Sequence, residues 1–178
     1  MNRLKPAVTL LITIPMALGT MACKKGPQER GEEAVRLVRK MNQEIFKMNQ
    51  ESVAKFANTV RTTPLPRMVD VEYGLTTKEI TAYREQQDLA LDKIIEGTSL
   101  DSRVSTLRRY CAQIAQENAD MASKVEVFLK GNTDKDGGNS PEEIRSVASF
   151  LPIRIEQLKQ WHVIAERTAA KIDNLIEK

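Results

Sequence analysis

The sequence predicts an all-α protein: an antiparallel four-helix bundle that follows a cleaved N-terminal signal peptide. Three observations lead to this fold class. Apolar residues recur at intervals of three and four along four long segments, which is the spacing of one helical face. Proline and glycine cluster mainly between these segments, where they end or separate helices. Aromatic residues make up only 4% of the chain, and no stretch alternates as a strand does. Four such segments favour a helix bundle.

The first 22 residues have the pattern of a signal peptide. Arg3 and Lys5 precede an apolar run over residues 7–18, and small residues follow up to Ala22. A basic start, a short apolar stretch and a small-residue cleavage zone are typical of secretory signals. The apolar run, about a dozen residues long, is too short for a membrane span. We therefore expect residues 1–22 to be removed.

Cys23 follows the small residue Ala22 directly, and this arrangement resembles the lipobox of bacterial lipoproteins. The resemblance covers the first 23 residues and departs from the family at Thr20, where leucine is usual. It implies that Cys23 carries diacylglycerol and becomes the first mature residue. Lys24 replaces the aspartate that retains enteric lipoproteins at the inner membrane, so the resemblance implies an outer-membrane anchor facing the periplasm. An ordinary secretory signal, with Cys23 left as a simple thiol, is the alternative.

Loss of the signal changes the charge balance that the whole sequence suggests. Residues 1–22 contain two of the 27 basic residues and none of the 24 acidic ones, so the mature chain has 25 basic and 24 acidic residues. Such a nearly neutral chain lacks the basic excess typical of nucleic-acid-binding proteins. With Cys23 lipidated, Cys111 is the remaining cysteine and an intramolecular disulfide is excluded.

The mature chain is predicted to comprise a lipidated cysteine and polar tether at 23–30 and a bundle domain at 31–178. The first helix begins at Gly31 and ends near Arg61. Its apolar face is predicted from the spacing of Val38, Met41, Ile45, Met48, Ser52 and Phe56.

The stretch 62–75 is predicted to be an extended crossover loop, because Pro64, Pro66 and Gly74 do not continue a helix. Its apolar side chains are candidates for a partner-contact surface: Leu65, Met68, Val71 and Tyr73. The alternative is that they pack across the end of the bundle.

The second and third helices follow with short connections, which favour antiparallel neighbours. Thr76 or Thr77 is the predicted cap of the second helix, which ends at Gly97. Ser99 or Asp101 is the predicted cap of the third. The third helix has the most regular spacing in the chain: Val104, Leu107, Cys111, Ile114, Asn118, Met121, Val125 and Phe128. Asn118, polar on this face, is interpreted as a residue that fixes register.

The fourth helix is predicted to start at Ser140, with Pro141 in the first helical position and Glu143 as a capping-box carboxylate. Pro152 predicts a kink or a fresh start. Beyond it, the apolar face comprises Ile155, Leu158, His162, Ala165, Ala169, Ile172 and Ile176.

The loop before this helix, residues 132–143, resembles an EF-hand calcium loop. Calcium sites of this type take oxygen ligands from positions 1, 3, 5, 7, 9 and 12, with glycine at position 6. Asn132 replaces the usual aspartate, Asn139 replaces an apolar residue, and no second such loop occurs. A polar turn followed by a helix cap explains the same residues. The candidate ligands are Asn132, Asp134, Asp136, the Gly138 carbonyl, Ser140 and Glu143, with Gly137 at the turn.

His162 and Cys111 are the other residues with possible chemistry. His162 lies on a predicted bundle-facing position, where a histidine opposite Met41, Met48 or Met121 is a possible haem or small-ligand site. A packed core histidine is the alternative. The helical position of Cys111 predicts burial, which does not suit a catalytic thiol.

These observations predict a lipid-anchored cell-envelope protein that acts as a non-catalytic interaction or structural module. No combination of nucleophile, base and orienting group suggests an enzyme. The expected partners are the membrane, through the lipid, and an unidentified envelope protein. A calcium-binding lipoprotein and a haem or ligand carrier remain the alternatives.

Overall fold

The computed structural model describes residues 25–60, 77–133 and 141–177, except for the side chains of residues 60, 132–133 and 141–147. In this part of the chain it contains four helices: α1 (Pro27–Val60), α2 (Thr77–Gly97), α3 (Leu100–Thr133) and α4 (Pro141–Ile176). They pack together, which confirms the predicted all-α fold. The predicted signal peptide, Cys23 and the 62–75 loop lie outside the described residues.

Contacts between side chains show that α4 runs antiparallel to both α1 and α3. Near the end of α1, Phe56 packs edge-on against Phe150 near the start of α4, with ring centroids 5.1 Å apart. At the other end of the bundle, the Arg108 guanidinium at the start of α3 donates to the Asp173 carboxylate at the end of α4, at 3.0 Å. These three helices bury most of the apolar side chains.

Helix α2 lies antiparallel beside α1 and α3. The Asn42 amide nitrogen of α1 donates to the Asp88 carboxylate of α2 at 3.1 Å, and the Tyr110 hydroxyl of α3 donates to the Gln87 side-chain oxygen. Only Ile80 and Leu91 of this helix are fully buried. Tyr83, Ile94 and Ile95 are partly buried against the core, so both apolar packing and these hydrogen bonds attach α2 to the bundle.

The main core is continuous along α1, α3 and α4. One of its largest fully buried apolar side chains is Leu91 of α2. The others lie on the predicted apolar faces of α1, α3 and α4: Val38, Met41, Leu107, Cys111, Leu158 and Ile172. At the end that holds Phe56 and Phe150, a smaller cluster extends it, with Ile153 packed alongside. None of the described helices combines the length and hydrophobicity of a membrane span.

Two helix ends differ from the sequence predictions. Helix α1 begins at Pro27, four residues before the predicted start at Gly31, because proline suits a first helical position. The Glu29 carboxylate also accepts the backbone N–H of Gly26 at 3.3 Å. The predicted polar tether at 23–30 is therefore partly helical. Helix α3 continues to Thr133, two residues into the stretch 132–143 that the sequence predicts as a loop.

The connection between α2 and α3 is closed by local hydrogen bonds. Of the two predicted caps, Ser99 acts at the start of α3, where its hydroxyl accepts the backbone N–H of Ser102 at 3.4 Å. The Arg103 guanidinium donates to the carbonyls of Ile95 at 2.8 Å and Thr98 at 3.0 Å. These bonds satisfy carbonyls that the end of a helix leaves unpaired.

The predicted apolar face of α3 holds up to Asn118 and then shifts by one residue. Met121 is 45% exposed, whereas its neighbour Ala122 is 3% exposed and belongs to the core. The prediction used strictly alternating steps of three and four, a period of 3.5 residues. A straight α-helix has 3.6 residues per turn, so the buried stripe drifts along a long helix.

Pro152 does not start a new helix, because α4 runs from Pro141 to Ile176 through it. Pro152 itself faces solvent. Its neighbours Leu151 and Ile155 are buried on either side, so both turns remain packed on the core although proline removes one backbone hydrogen bond.

Candidate functional site

The structure leaves most of the predicted calcium ligands undescribed. Asp134, Asp136, Gly138 and Ser140 lie outside the described residues, and the side chains of Asn132 and Glu143 are not described. Within the described ranges, no three histidine, cysteine, aspartate or glutamate side chains cluster to hold a metal ion. The EF-hand-like loop therefore stays a prediction.

The two helices that flank this loop are described, and they lie side by side. The Lys159 ammonium of α4 pairs with the Glu126 carboxylate of α3, which lowers the pKa of Glu126 through a hydrogen bond and charge attraction. The two described helices are antiparallel neighbours, whereas EF-hand helices diverge at about 90–140°. The calcium loop and the polar turn both remain predictions for residues 132–143.

We expect calcium to bind this protein no better than it binds a Glu143→Gln variant. That substitution removes the carboxylate at position 12, which binds calcium through both oxygens in EF-hands. Calorimetric titration of both proteins with calcium chloride measures the difference. Heat that is present in the native protein and lost in Glu143→Gln would contradict the polar-turn interpretation.

His162 lies at the interface of α4 with α3, with a side chain 33% exposed. Its Nδ1 is 2.9 Å from the carbonyl oxygen of Ala115. Because a carbonyl only accepts, Nδ1 carries the proton. Nε2 lies 3.5 Å from the Glu166 carboxylate. The ring therefore bridges α3 and α4 at the edge of the core, where a third of the side chain stays exposed.

Cys111 is fully buried in α3, as its position predicted. Burial raises the pKa of its thiol from 9.0 to about 12, so the reactive thiolate is scarce near neutral pH. A thiol of this kind acts as a small apolar core residue.

We expect Cys111 to react with Ellman's reagent only when the protein unfolds, since the reagent cannot reach it and the thiolate is disfavoured. Absorbance of the released thiol in buffer and in denaturant measures this. Because the folded-state pKa is raised, the thiol stabilises the fold fully below about pH 9, and this stabilisation is lost as pH rises towards 12. Fast labelling of the native protein at neutral pH would contradict the burial.

The side chain that organises the centre of the bundle is Asn49 of α1, which is 1% exposed. Its oxygen accepts two hydrogen bonds from α4: one from the Trp161 indole N–H at 2.7 Å and one from the Gln157 amide at 3.1 Å. The Gln157 oxygen in turn accepts from the Arg154 guanidinium at 2.5 Å. Because arginine and tryptophan only donate, both amide orientations are fixed.

Trp161 also joins α4 to α2. Its ring stacks on Tyr83 with centroids 4.4 Å apart and an interplanar angle of 22°. The Arg154 guanidinium lies 5.1 Å from the centroid of the same indole. Burial raises the pKa of Tyr83, and a hydrogen bond with Asn118 acts in the opposite direction. The predicted register residue Asn118 is thus buried beside this cluster, and its amide donates to the carbonyl of Ile114 at 2.8 Å.

A small cavity lies between α1 and α2 next to this cluster. Its volume is about 10 Å³, which is the size of a single water molecule. Asn42 and Asn49 both line it. The Asn42 oxygen and the Asn49 amide nitrogen are buried, and neither has a partner among the described residues. The space is too small for an organic ligand.

We define the central polar cluster as Asn49, Tyr83, Asn118, Arg154, Gln157 and Trp161. Sequence reasoning found Asn118 and missed the role of the others. A signal existed, since Asn42 and Asn49 lie one heptad apart beside the apolar face of α1, and Gln157 and Trp161 lie one turn apart in α4. The cluster offers amides, an indole, a phenol and a guanidinium. These groups hydrogen-bond and orient helices, and they include no base that titrates near neutral pH.

Comparison with known proteins adds little to this description. No family model and no solved structure matches the chain. A stretch of 93 residues, 52% of the chain, is 28% identical to part of a Lon protease from Flavobacterium johnsoniae. The match covers 11% of that protein, so the chain spans about a tenth of the length of this relative.

Proposed function

We propose that this chain is a lipid-anchored helical-bundle protein of the bacterial cell envelope, which acts as a non-catalytic interaction or structural module. Cys23 holds it at the membrane, on the periplasmic face of the outer membrane. The bundle projects from this anchor and contacts an envelope protein.

The observation that supports this proposal is the closed interior of the bundle. In the described part of the chain, interior polar side chains bond largely to one another, as Asn49 does with Trp161, and the cavity beside them holds one water at most. The thiol of Cys111 is buried and Nδ1 of His162 is bonded to a backbone carbonyl. Such an interior stabilises a shape, which suits a protein that works through its surface.

Metabolic labelling with radioactive palmitate tests the anchor. We expect label in the native chain and in Cys111→Ser, and none in Cys23→Ser. The Cys111 variant is the matched control, because it also removes one of the two cysteines. Equal labelling of Cys23→Ser and the native protein would contradict the lipid anchor and the localisation with it.

The interaction part of the proposal has its own test. Photo-cross-linking from the intact lipidated protein in envelopes, with the probe in turn at Val127 and Val163, samples two helix surfaces, since both side chains are more than half exposed. A discrete cross-linked protein that depends on probe position supports the module. The absence of any product from both positions would contradict it.

A further inference from the structure

The end of the bundle where α1 begins carries a groove of about 130 Å³ whose lining is part apolar and part polar, the polar part being Arg30, Asp101 and Ser105. The first residues of α1 and α3 and the last residues of α4 form it. Its apolar part is lined by Pro27, Leu100, Val104, Leu175 and Ile176. Leu100 is 41% exposed and Ile176 is 48% exposed, so two of the large exposed apolar side chains meet at this end.

The other large exposed apolar side chains of the described residues are distributed differently. Leu89 of α2 and Val163 of α4 lie singly, at 57% and 56% exposed, whereas Met121, Val127 and Phe128 share α3, at 45%, 68% and 37%. Single exposed apolar residues are normal on a soluble surface, whereas neighbouring ones at one place suggest a contact. We name the groove of Pro27, Leu100, Val104, Leu175 and Ile176 the basal groove.

Position along the chain identifies what the basal groove faces. Cys23 is four residues before Pro27, where α1 starts, and four residues span at most about 14 Å. A lipid on Cys23 therefore keeps this end of the bundle close to the bilayer. A tethered contact needs little intrinsic affinity, because the tether gives it a high effective concentration.

The charged groups at the groove fit a phospholipid surface. Arg30 and Asp101 both line it. A guanidinium binds phosphate, and a carboxylate attracts an ammonium group. Together they match the two charges of a zwitterionic head group such as phosphoethanolamine, while Leu100 and Ile176 reach towards the acyl region.

We propose that the basal groove rests on the surface of a zwitterionic phospholipid bilayer, so that the N-terminal ends of α1 and α3 lie against the membrane. This inference rests on the proposed function, since it takes Cys23 to bear the lipid. It adds an orientation: α1 and α3 end, and α2 and α4 begin, at the end of the bundle away from the membrane.

Spin labelling of the lipidated protein tests the orientation. Native Cys23 is blocked by its lipid and Cys111 is buried, so a nitroxide attaches selectively to Ile176→Cys, or to Val163→Cys as the control. Val163 is 13 residues before Ile176 on the same helix, about 20 Å away at 1.5 Å per residue. Power saturation in phosphatidylethanolamine–phosphatidylcholine vesicles then measures collisions with oxygen and with a water-soluble nickel complex.

We expect the ratio of oxygen to nickel collisions to rise severalfold at position 176 on reconstitution and to stay unchanged at position 163. Adding Leu100→Ser should reduce the rise at 176, whereas Leu89→Ser should not. Two labels that both remain in water, on a chain whose Cys23 carries its lipid, would overturn the inference and leave the proposed function standing. Dipolar broadening between labels at 176 would place a second copy on the groove and also overturn it. If Cys23 carries no lipid, both this inference and the proposed function are wrong.

Discussion

Asn49→Ala is expected to lower the free energy of unfolding by about 2–4 kcal/mol, because it leaves two buried donors without an acceptor. These are the Trp161 indole N–H and the Gln157 amide, which approach the Asn49 oxygen at 2.7 and 3.1 Å. Both donors are 2% exposed or less, so water cannot replace the lost oxygen without opening the core. Urea denaturation followed by far-ultraviolet circular dichroism measures the change.

Asn174→Ala is the matched control for this experiment. Asn174 also sits in a helix and donates to a backbone carbonyl, that of Ala170, at 3.1 Å, but it is exposed. We expect its replacement to change stability by less than about 0.5 kcal/mol. Equal effects of the two substitutions would mean that the Asn49 bonds contribute nothing specific to the fold.

Trp161→Ala is expected to have the larger effect, about 3–5 kcal/mol of lost stability, because it opens a cavity where three helices meet. The indole is 2% exposed, packs in the main core and stacks on Tyr83 of α2. Its loss also removes this contact between α2 and α4. Amide hydrogen exchange should therefore speed up more in α2 than in α1 or α3.

Phe46→Ala provides the comparison for the tryptophan. Phe46 is a half-buried aromatic of α1, with the Arg84 guanidinium 4.5 Å from its ring centroid. A partly exposed aromatic has less area to lose, so we expect a smaller effect than for Trp161→Ala. If Phe46→Ala destabilises as much as Trp161→Ala, or if exchange in α2 does not change in the tryptophan variant, the assignment of Trp161 as the joint between α2 and α4 is wrong.

Much of the fold follows from local patterns in the sequence. The bounds of α2 at Thr77 and Gly97 lie where the sequence predicts its start and end, since the residues that begin and end a helix act over one turn. The predicted burial of Leu107, Cys111 and Leu158 is confirmed because apolar spacing reports directly on the side that faces the core.

The central polar cluster depends instead on which helices meet. Asn49 and Trp161 are 112 residues apart, and each alone resembles an ordinary helix residue at the edge of an apolar face. Their pairing follows only once α1 and α4 lie antiparallel in one register. For the same reason, the shift from Met121 to Ala122 depends on the true helical period and on the neighbours of α3.

Mass spectrometry of the N-terminal peptide tests the proposal that a lipid on Cys23 holds this bundle at the membrane. The protein is purified from the membranes of a bacterium that expresses the full sequence. We expect a mature chain that begins at Cys23 with the added mass of a diacylglyceryl group, and an unmodified Cys111. An unmodified Cys23, or a chain that begins at another residue, would contradict it.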